Sequence, residues 1–176
     1  KLLPALKKIR MADEAFAKVI YERKSAAFRE LDRYIRLVAP TDMTVLILGN
    51  TGTGKEHLAG KIHKRSLRAN KPYITVDCGS LSRELAASAF FGHVKGAFTG
   101  ATDEKPGYFQ EARGGTLFLD EVENLPVEIQ QMLLRAMEER RYRPVGGRQD
   151  KRMDVRVIAA TNEDLQGAVA EKRFRK

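Results

Sequence analysis

The stretch from residue 43 to residue 67 leaves few folds open to this chain. MTVLILG (43–49) is an unbroken apolar run of strand length, and EHLAGKIHKRSL (56–67) places Leu58, Ile62 and, less strictly, Leu67 on one helical side. Between them lies the glycine-rich GNTGTGK (49–55). A strand that is apolar along its whole length is covered on both faces, as in a parallel sheet. Strand, tight loop and amphipathic helix in that order form the opening of a parallel α/β unit.

The rest of the chain keeps the alternation. In SAAFRELDRYIRLVAP the apolar residues Ala27, Phe28, Leu31, Ile35 and Val38 recur at helical spacing, and Pro40 stops the helix. PYITV reads as a strand, SLSRELAASAFF as a helix opening on a serine cap, and YFQEA as a short helix. TLFLD is a strand, PVEIQQMLLRAMEER a helix with proline in its first turn, VRVIAA a strand, and NEDLQGAVAEKRFRK helical. The prediction is an α/β domain with a parallel central sheet, right-handed crossovers and flanking helices over residues 25–176. Residues 1–24, charged and carrying Pro4, read as a linker or short helix leading into it.

A chain of 176 residues with 43% hydrophobic content suits one core. Cys78 is the sole cysteine, so no internal disulfide forms and the thiol reads as core packing. No apolar run approaches the ~20 residues that cross a bilayer, and the first residues lack the pattern of a signal peptide. The expectation is a cytoplasmic protein without a membrane partner. The net charge of +9 favours anionic partners. A first residue other than methionine and an uncapped EKRFRK end fit a piece of a longer protein.

Gly49 and Gly54 stand at P-loop spacing with Lys55 following, between a buried strand and a helix, where backbone N–H groups can cradle phosphates. Lys55 would then reach the β and γ phosphates. The Ser or Thr whose hydroxyl usually meets Mg²⁺ is replaced by Glu56, so its carboxylate or water has to serve. TLFLDE (116–121) is an apolar strand ending in two carboxylates. Beside a P-loop, Asp120 is placed to hold Mg²⁺ and Glu121 to orient the attacking water. Adjacent residues of a regular strand face opposite ways, so the chain has to turn off the strand here, and Asn124 and Pro126 agree with that.

Other positions leave two readings open. Thr161 and Asn162, at the tip of VRVIAATN, either bond a γ-phosphate or water, or cap the next helix. Asp77 is a site residue or a turn former. RRYRPVGGRQDKR (140–152) is a solvated basic hairpin or a contact to nucleic acid or a partner. His57, His63 and His93 show no metal spacing and read as satisfied or exposed. In FGHVKGAFTGA (91–101), glycines 92, 96 and 100 permit positive φ, and Phe98 is either tucked onto the core or offered to a partner.

GNTGTGKE, GAFTGA, GGTLFLDEV, VRVIAATNEDL and RFR stand in one order, and from about residue 21 to its end the chain resembles the central AAA+ ATPase domain of sigma-54-dependent bacterial transcription activators, the enhancer-binding proteins. GAFTGA is the hallmark of that family. The resemblance implies a P-loop NTPase of AAA+ type that binds ATP and Mg²⁺ through Gly49, Asn50, Thr51, Gly52, Thr53, Gly54 and Lys55. The resemblance extends the nucleotide-binding set to Glu56 and His57 at the start of the following helix, with Glu56, which the family normally has after the lysine, joining Asp120 at the metal. Asp120 and Glu121 match the Walker B pair, and Thr161 and Asn162 the sensor I region. Arg175 matches the first of two arginine fingers that reach the neighbouring subunit's nucleotide in a hexameric or heptameric ring. Asp77 stands where the family usually has an asparagine that restrains the Walker B glutamate, and an ionised aspartate accepts but does not donate. The basic hairpin corresponds to a second pore-side loop.

The same resemblance gives Gly96, Ala97, Phe98, Thr99, Gly100 and Ala101 a partner, the sigma-54 RNA polymerase holoenzyme. It also implies an upstream regulatory domain, often a phosphorylatable receiver of a two-component system, a helical lid with the second arginine finger, and a C-terminal helix-turn-helix that binds DNA. These parts are expected to lie outside the residues of this chain. An AAA+ unfoldase or helicase-type motor gripping a polymer with the same loop is the alternative. A nucleotide-gated scaffold without turnover fits less well with intact Lys55, Asp120 and Glu121, and a small-molecule P-loop kinase fits least.

Overall fold

The computed structural model describes residues 7–10 and 26–162, and among these five strands form one parallel sheet. In chain order the elements are β1 (Lys7–Arg10), α1 (Ala26–Val38), β2 (Val45–Leu48), α2 (Lys55–Lys64), β3 (Tyr73–Asp77), α3 (Ala86–Phe91) and α4 (Tyr108–Glu111). They continue with β4 (Thr116–Asp120), α5 (Val127–Glu139), the short strands β5 (Arg141–Tyr142) and β6 (Lys151–Arg152), and β7 (Arg156–Thr161). The sheet order is β1-β2-β7-β4-β3, every pairing parallel, while β5 and β6 pair antiparallel as the expected hairpin.

The unbroken apolar strands are explained by two cores, one on each face. Leu117 and Leu119 of β4 and Val157 of β7 face a cluster with Phe90, Phe109, Ile129 and Leu133. Phe118, Ile158 and Ala160, at the alternating positions, face the other cluster with Val45, Ile47, Ile35, Leu58 and Ile62. Strand periodicity thus sends successive side chains into different cores, so a polar residue in the middle of β4 or β7 would lose water on either face. Buried apolar area of this kind is the main source of stability, at roughly 25 cal/mol per Å².

Four details differ from the sequence reading. Residues 7–10, expected as linker or short helix, form the edge strand β1 beside β2. The serine-capped helix over 80–91 shortens to α3: the Ser82 carbonyl accepts from the N–H groups of Leu85 (3.2 Å) and Ala86 (3.0 Å), which makes a turn first, and no side chain caps the helix at Leu85. Helix α2 stops at Lys64 because the Ser66 hydroxyl donates to the His63 carbonyl at 2.7 Å and bends the chain, so Leu67 lies outside the apolar stripe and is 85% exposed. Pro126 stands just before α5, not inside its first turn.

Arg156, 1% exposed, opens β7 and donates to the carbonyls of Val38 (2.7 Å), Ala39 (2.7 Å) and Met43 (3.2 Å). It thereby satisfies the carbonyls at the C-terminal end of α1 and in the turn to β2, groups a helix leaves without partners. Burial, the largest influence on its guanidinium, lowers its pKa from the usual value, and Arg68 nearby acts in the same direction. The fold accepts this cost in exchange for locking α1 onto the sheet.

Candidate functional site

The parallel strands end at one edge, and the polar residues singled out from the sequence gather there, as the topology of open α/β sheets dictates. β2 leads into the loop 49–54. Its first residue, Gly49, donates from its N–H to the Thr161 carbonyl at 3.2 Å, tying the loop to the end of β7. The Asn50 carbonyl accepts both the Thr53 hydroxyl (2.7 Å) and the Thr53 N–H (3.3 Å), which folds the loop over itself. Gly54, at φ 80° and ψ 29°, takes the left-handed conformation just before α2, and no side chain caps the helix. The opening N–H groups of α2, with the positive end of its dipole, are left to the loop.

Lys55, only 6% exposed, turns back so that its Nζ donates to the carbonyls of Gly49 and Asn50 at 3.0 Å each. The ammonium thus sits within the loop it follows. Glu56 and His57, next on α2, are exposed.

β4 supplies the carboxylates. Asp77 at the tip of β3 and Asp120 at the tip of β4 are register partners. Asp120 Oδ1 accepts from the Glu121 N–H at 3.0 Å. Glu121 then adopts φ 52° and ψ 47°, left-handed for a residue that is not glycine. That conformation is the turn off the strand required by the two adjacent carboxylates, and such a residue is held only by surrounding bonds. Asn124 provides them, donating its backbone N–H to the Glu121 carbonyl and its Nδ2 to Glu121 Oε2, both at 2.9 Å.

β7 lies between β2 and β4, so its tip touches both sides of the site. Thr161 is fully buried and pairs in register with Leu48. Asn162 is exposed; its Nδ2 donates to Thr51 Oγ1 and its N–H to Glu123 Oε1, each at 3.4 Å. The chain Thr51–Asn162–Glu123 links the glycine loop to the turn after β4. Glu123 Oε2 is buried with no hydrogen-bond partner, an acceptor left open at the same edge.

The surrounding field is acidic. Cys78 is buried, and its thiol is pushed up to about 12, chiefly by burial and then by Asp77, Asp120, Glu123 and Glu121. The thiol is therefore an inert packing group, as expected. Burial, with Glu56 and Asp120 adding to it, raises the Tyr73 phenol in the same way. Among the described residues no three His, Cys, Asp or Glu side chains are clustered to hold a metal by themselves.

The loop 92–101 is held by contacts of its own. Its stem is antiparallel pairing between His93 and Lys105, each N–H meeting the other's carbonyl at 3.0 Å. The turn of the basic hairpin joins it, with Val94 N–H donating to the Val145 carbonyl at 3.1 Å and Val145 N–H to that of Gly92 at 2.9 Å. Glycines 92, 96 and 100 have φ of 74°, 77° and 97°, as the sequence required. Phe98 is 41% exposed with one edge against the His93 ring, 5.0 Å between centroids, so it is packed on its own stem and not inserted into the core. His93 is buried and shares a 2.6 Å hydrogen bond with Ser88, His63 is buried against Thr116, and His57 is exposed, so none is arranged as a metal ligand. Arg175 lies outside the described residues.

Glu123 and Asn124, which the sequence reading does not single out for the site, lie between two buried apolar residues, Val122 and Leu125, and this short spacing keeps them next to the carboxylate pair.

A parallel sheet, a glycine loop opening a helix with a buried lysine, and carboxylates at the neighbouring strand tips together define a P-loop NTPase domain of α/β type. The comparisons with known proteins agree: residues 21–176 match the family described as Sigma-54 interaction domain, and the chain belongs to that family. It is 47% identical to the transcriptional regulatory protein GlrR of Escherichia coli K12 over 163 residues, 93% of this chain and 36% of that one. Among solved structures it is similar to NtrX from Brucella abortus in complex with ATP, with a TM-score of 0.77, 33% identity, and coverage of 92% of this chain and 38% of that one. The P-loop NTPase domain of a sigma-54 activator from E. coli has the same fold, with a TM-score of 0.56 and 22% identity over 84% of this chain and 83% of that one. The chain spans between 23% and 46% of the length of the curated relatives it matches. No described helix is long and apolar enough to cross a membrane.

Proposed function

We propose that this domain binds and hydrolyses ATP with Mg²⁺ and, assembled into a ring, uses its GAFTGA loop to remodel sigma-54 RNA polymerase holoenzyme. The observation that carries the proposal is the hydrogen-bonded link from Thr51 through Asn162 to Glu123, which joins the glycine loop to the turn that aims Glu121. A change at the loop is passed by that link to Glu123, two residues after Glu121 in the same turn.

In this reading the N–H groups of residues 50–52 and 54 and of the start of α2 receive the phosphates, and Lys55 exchanges its two carbonyl partners for the β and γ phosphate oxygens. Asp120 and Glu56 would hold Mg²⁺, with the rest of a hard cation's oxygen shell drawn from phosphate and water; the donor set fits, since the ligands offered are carboxylate oxygens and the nearby Cys78 thiol is buried and held protonated. When bound, the ion supplies charge neutralisation across the transferred phosphoryl group. Glu121 accepts the proton of the attacking water, while Asn162, the exposed member of the Thr161–Asn162 pair, bonds the γ-phosphate or that water and the buried Thr161 backs it. Arg175 would act on a neighbouring subunit's nucleotide, making turnover depend on assembly.

The loop 96–101 is tied at its stem to the hairpin that follows α5, and in this reading motion of the turn after β4 reaches it through those packed elements. Its partner in the relatives' role, transcription regulation, is reached through Phe98 and Thr99. The test is steady-state ATP turnover by the assembled protein and by its Glu121→Gln variant. Removing the base should lower kcat by at least about a hundredfold while leaving ATP affinity intact. Unchanged turnover would remove Glu121 from its role.

A further inference from the structure

A general base works through one carboxylate oxygen, so whatever fixes the other oxygen sets how well the base is aimed. Resting on the ATPase reading above, we propose that Asn124, and not Asp77, is the residue that positions Glu121 in this chain.

The two bonds between Asn124 and Glu121 are made by different parts of the same residues. The Asn124 N–H closes the backbone turn on the Glu121 carbonyl, and Nδ2 holds Oε2, both at 2.9 Å. The first keeps Glu121 in its left-handed conformation, and the second fixes the rotation of the carboxyl group, leaving Oε1 for the water. Asp77 is engaged otherwise: its Oδ1 accepts from the Gly79 N–H at 2.9 Å. A carboxylate has no hydrogen to give another carboxylate, whereas a primary amide has two.

The three side chains nevertheless meet over one point. A Cβ placed on Gly79 would stand 2.8 Å from Glu121 Oε2, 3.2 Å from Asn124 Nδ2 and 3.3 Å from Asp77 Oδ1. The missing side chain of Gly79 is therefore the space in which Oε2 rests. Position 77 borders the same gap, so an amide introduced there is a candidate second donor to Oε2, whereas in this chain the donor in place is Asn124.

The experiment measures kcat, KM and ATP affinity in the assembled protein for Asn124→Ala, for the near-isosteric Asn124→Asp, and for Asn124→Ala combined with Asp77→Asn. Asn124 and Asp77 are exposed, so these variants test aim more than folding. Asn124→Ala should lower kcat by about tenfold or more with KM and affinity unchanged, and Asn124→Asp by at least as much, because a donor becomes a like charge. The added Asp77→Asn should restore most of the lost kcat, which a merely structural role for Asn124 would not allow. A kcat within about twofold of wild type for Asn124→Ala, a parallel loss of affinity, or no recovery in the double variant would overturn the assignment. A wild-type protein that binds ATP but never turns it over would overturn the ATPase reading, and this assignment with it.

Discussion

Gly146, at the turn of the basic hairpin, lies against Ala97 of the GAFTGA loop so closely that a Cβ on Gly146 would stand 2.8 Å from the Ala97 Cβ and 2.9 Å from its Cα. Gly146 also has φ 72°, so both its conformation and its neighbour exclude a side chain. Gly146→Ala should destabilise the domain by roughly 1–2 kcal/mol, the cost of a left-handed residue with a Cβ, and displace the loop. A thermal melt checks the first effect, and weaker capture of sigma-54 with ATP turnover retained checks the second. An unaltered melt would show that the two loops are not in the contact described.

Arg156 gives a prediction about the fold alone. Arg156→Met fills similar space but leaves the carbonyls of Val38, Ala39 and Met43 without their charged donor. Hydrogen bonds to charged groups are each worth about 1.5–3 kcal/mol, so a loss of at least about 3 kcal/mol is expected in chemical denaturation. A change below about 1 kcal/mol would mean that solvent reaches those carbonyls.

Stability should also depend on pH through His63. Its ring is buried against Thr116 Oγ1 at 2.9 Å and stacks on Tyr73, and its pKa lies below the ordinary 6.5, chiefly because of burial and then because of Arg156 and Lys64. A depressed histidine pKa means that the unfolded chain binds a proton first as pH falls. The contribution is therefore complete above pH 6.5 and is lost on acidification toward the folded value, by up to about 1.4 kcal/mol per pH unit. Melting temperature should fall between pH 7 and pH 5, and His63→Gln should flatten that fall. The Arg68 guanidinium holds Asp42 below its usual 3.8, so that group acts only at more acidic pH. An equal slope in the variant would exclude His63 as the cause.

The sheet was legible because its strands are apolar at every position, and a two-faced core demands that. The edge where β2, β4 and β7 end was legible too, since glycine loop and carboxylate pair carry their own spacing. What stayed hidden was set by contacts across the sequence. Asn162 reads equally as a turn former until Thr51 and Glu123 are found beside it. Asn124 reads as a turn residue, which it is, and only its side chain's direction reveals the second bond to Glu121. The serine cap before α3 failed because a backbone turn at Ser82 competed with it, and Arg156 looks like an ordinary strand-edge charge until α1 closes over it.

The central claim is that hydrolysis at one edge drives an output at the loop 96–101. It is tested most directly by capturing sigma-54 with the assembled protein in the presence of ADP and a transition-state analogue of the γ-phosphate, for wild type and Thr99→Ala. The account predicts capture by wild type, its loss in Thr99→Ala, and equal ATP turnover in both. Persistent capture by Thr99→Ala would contradict it.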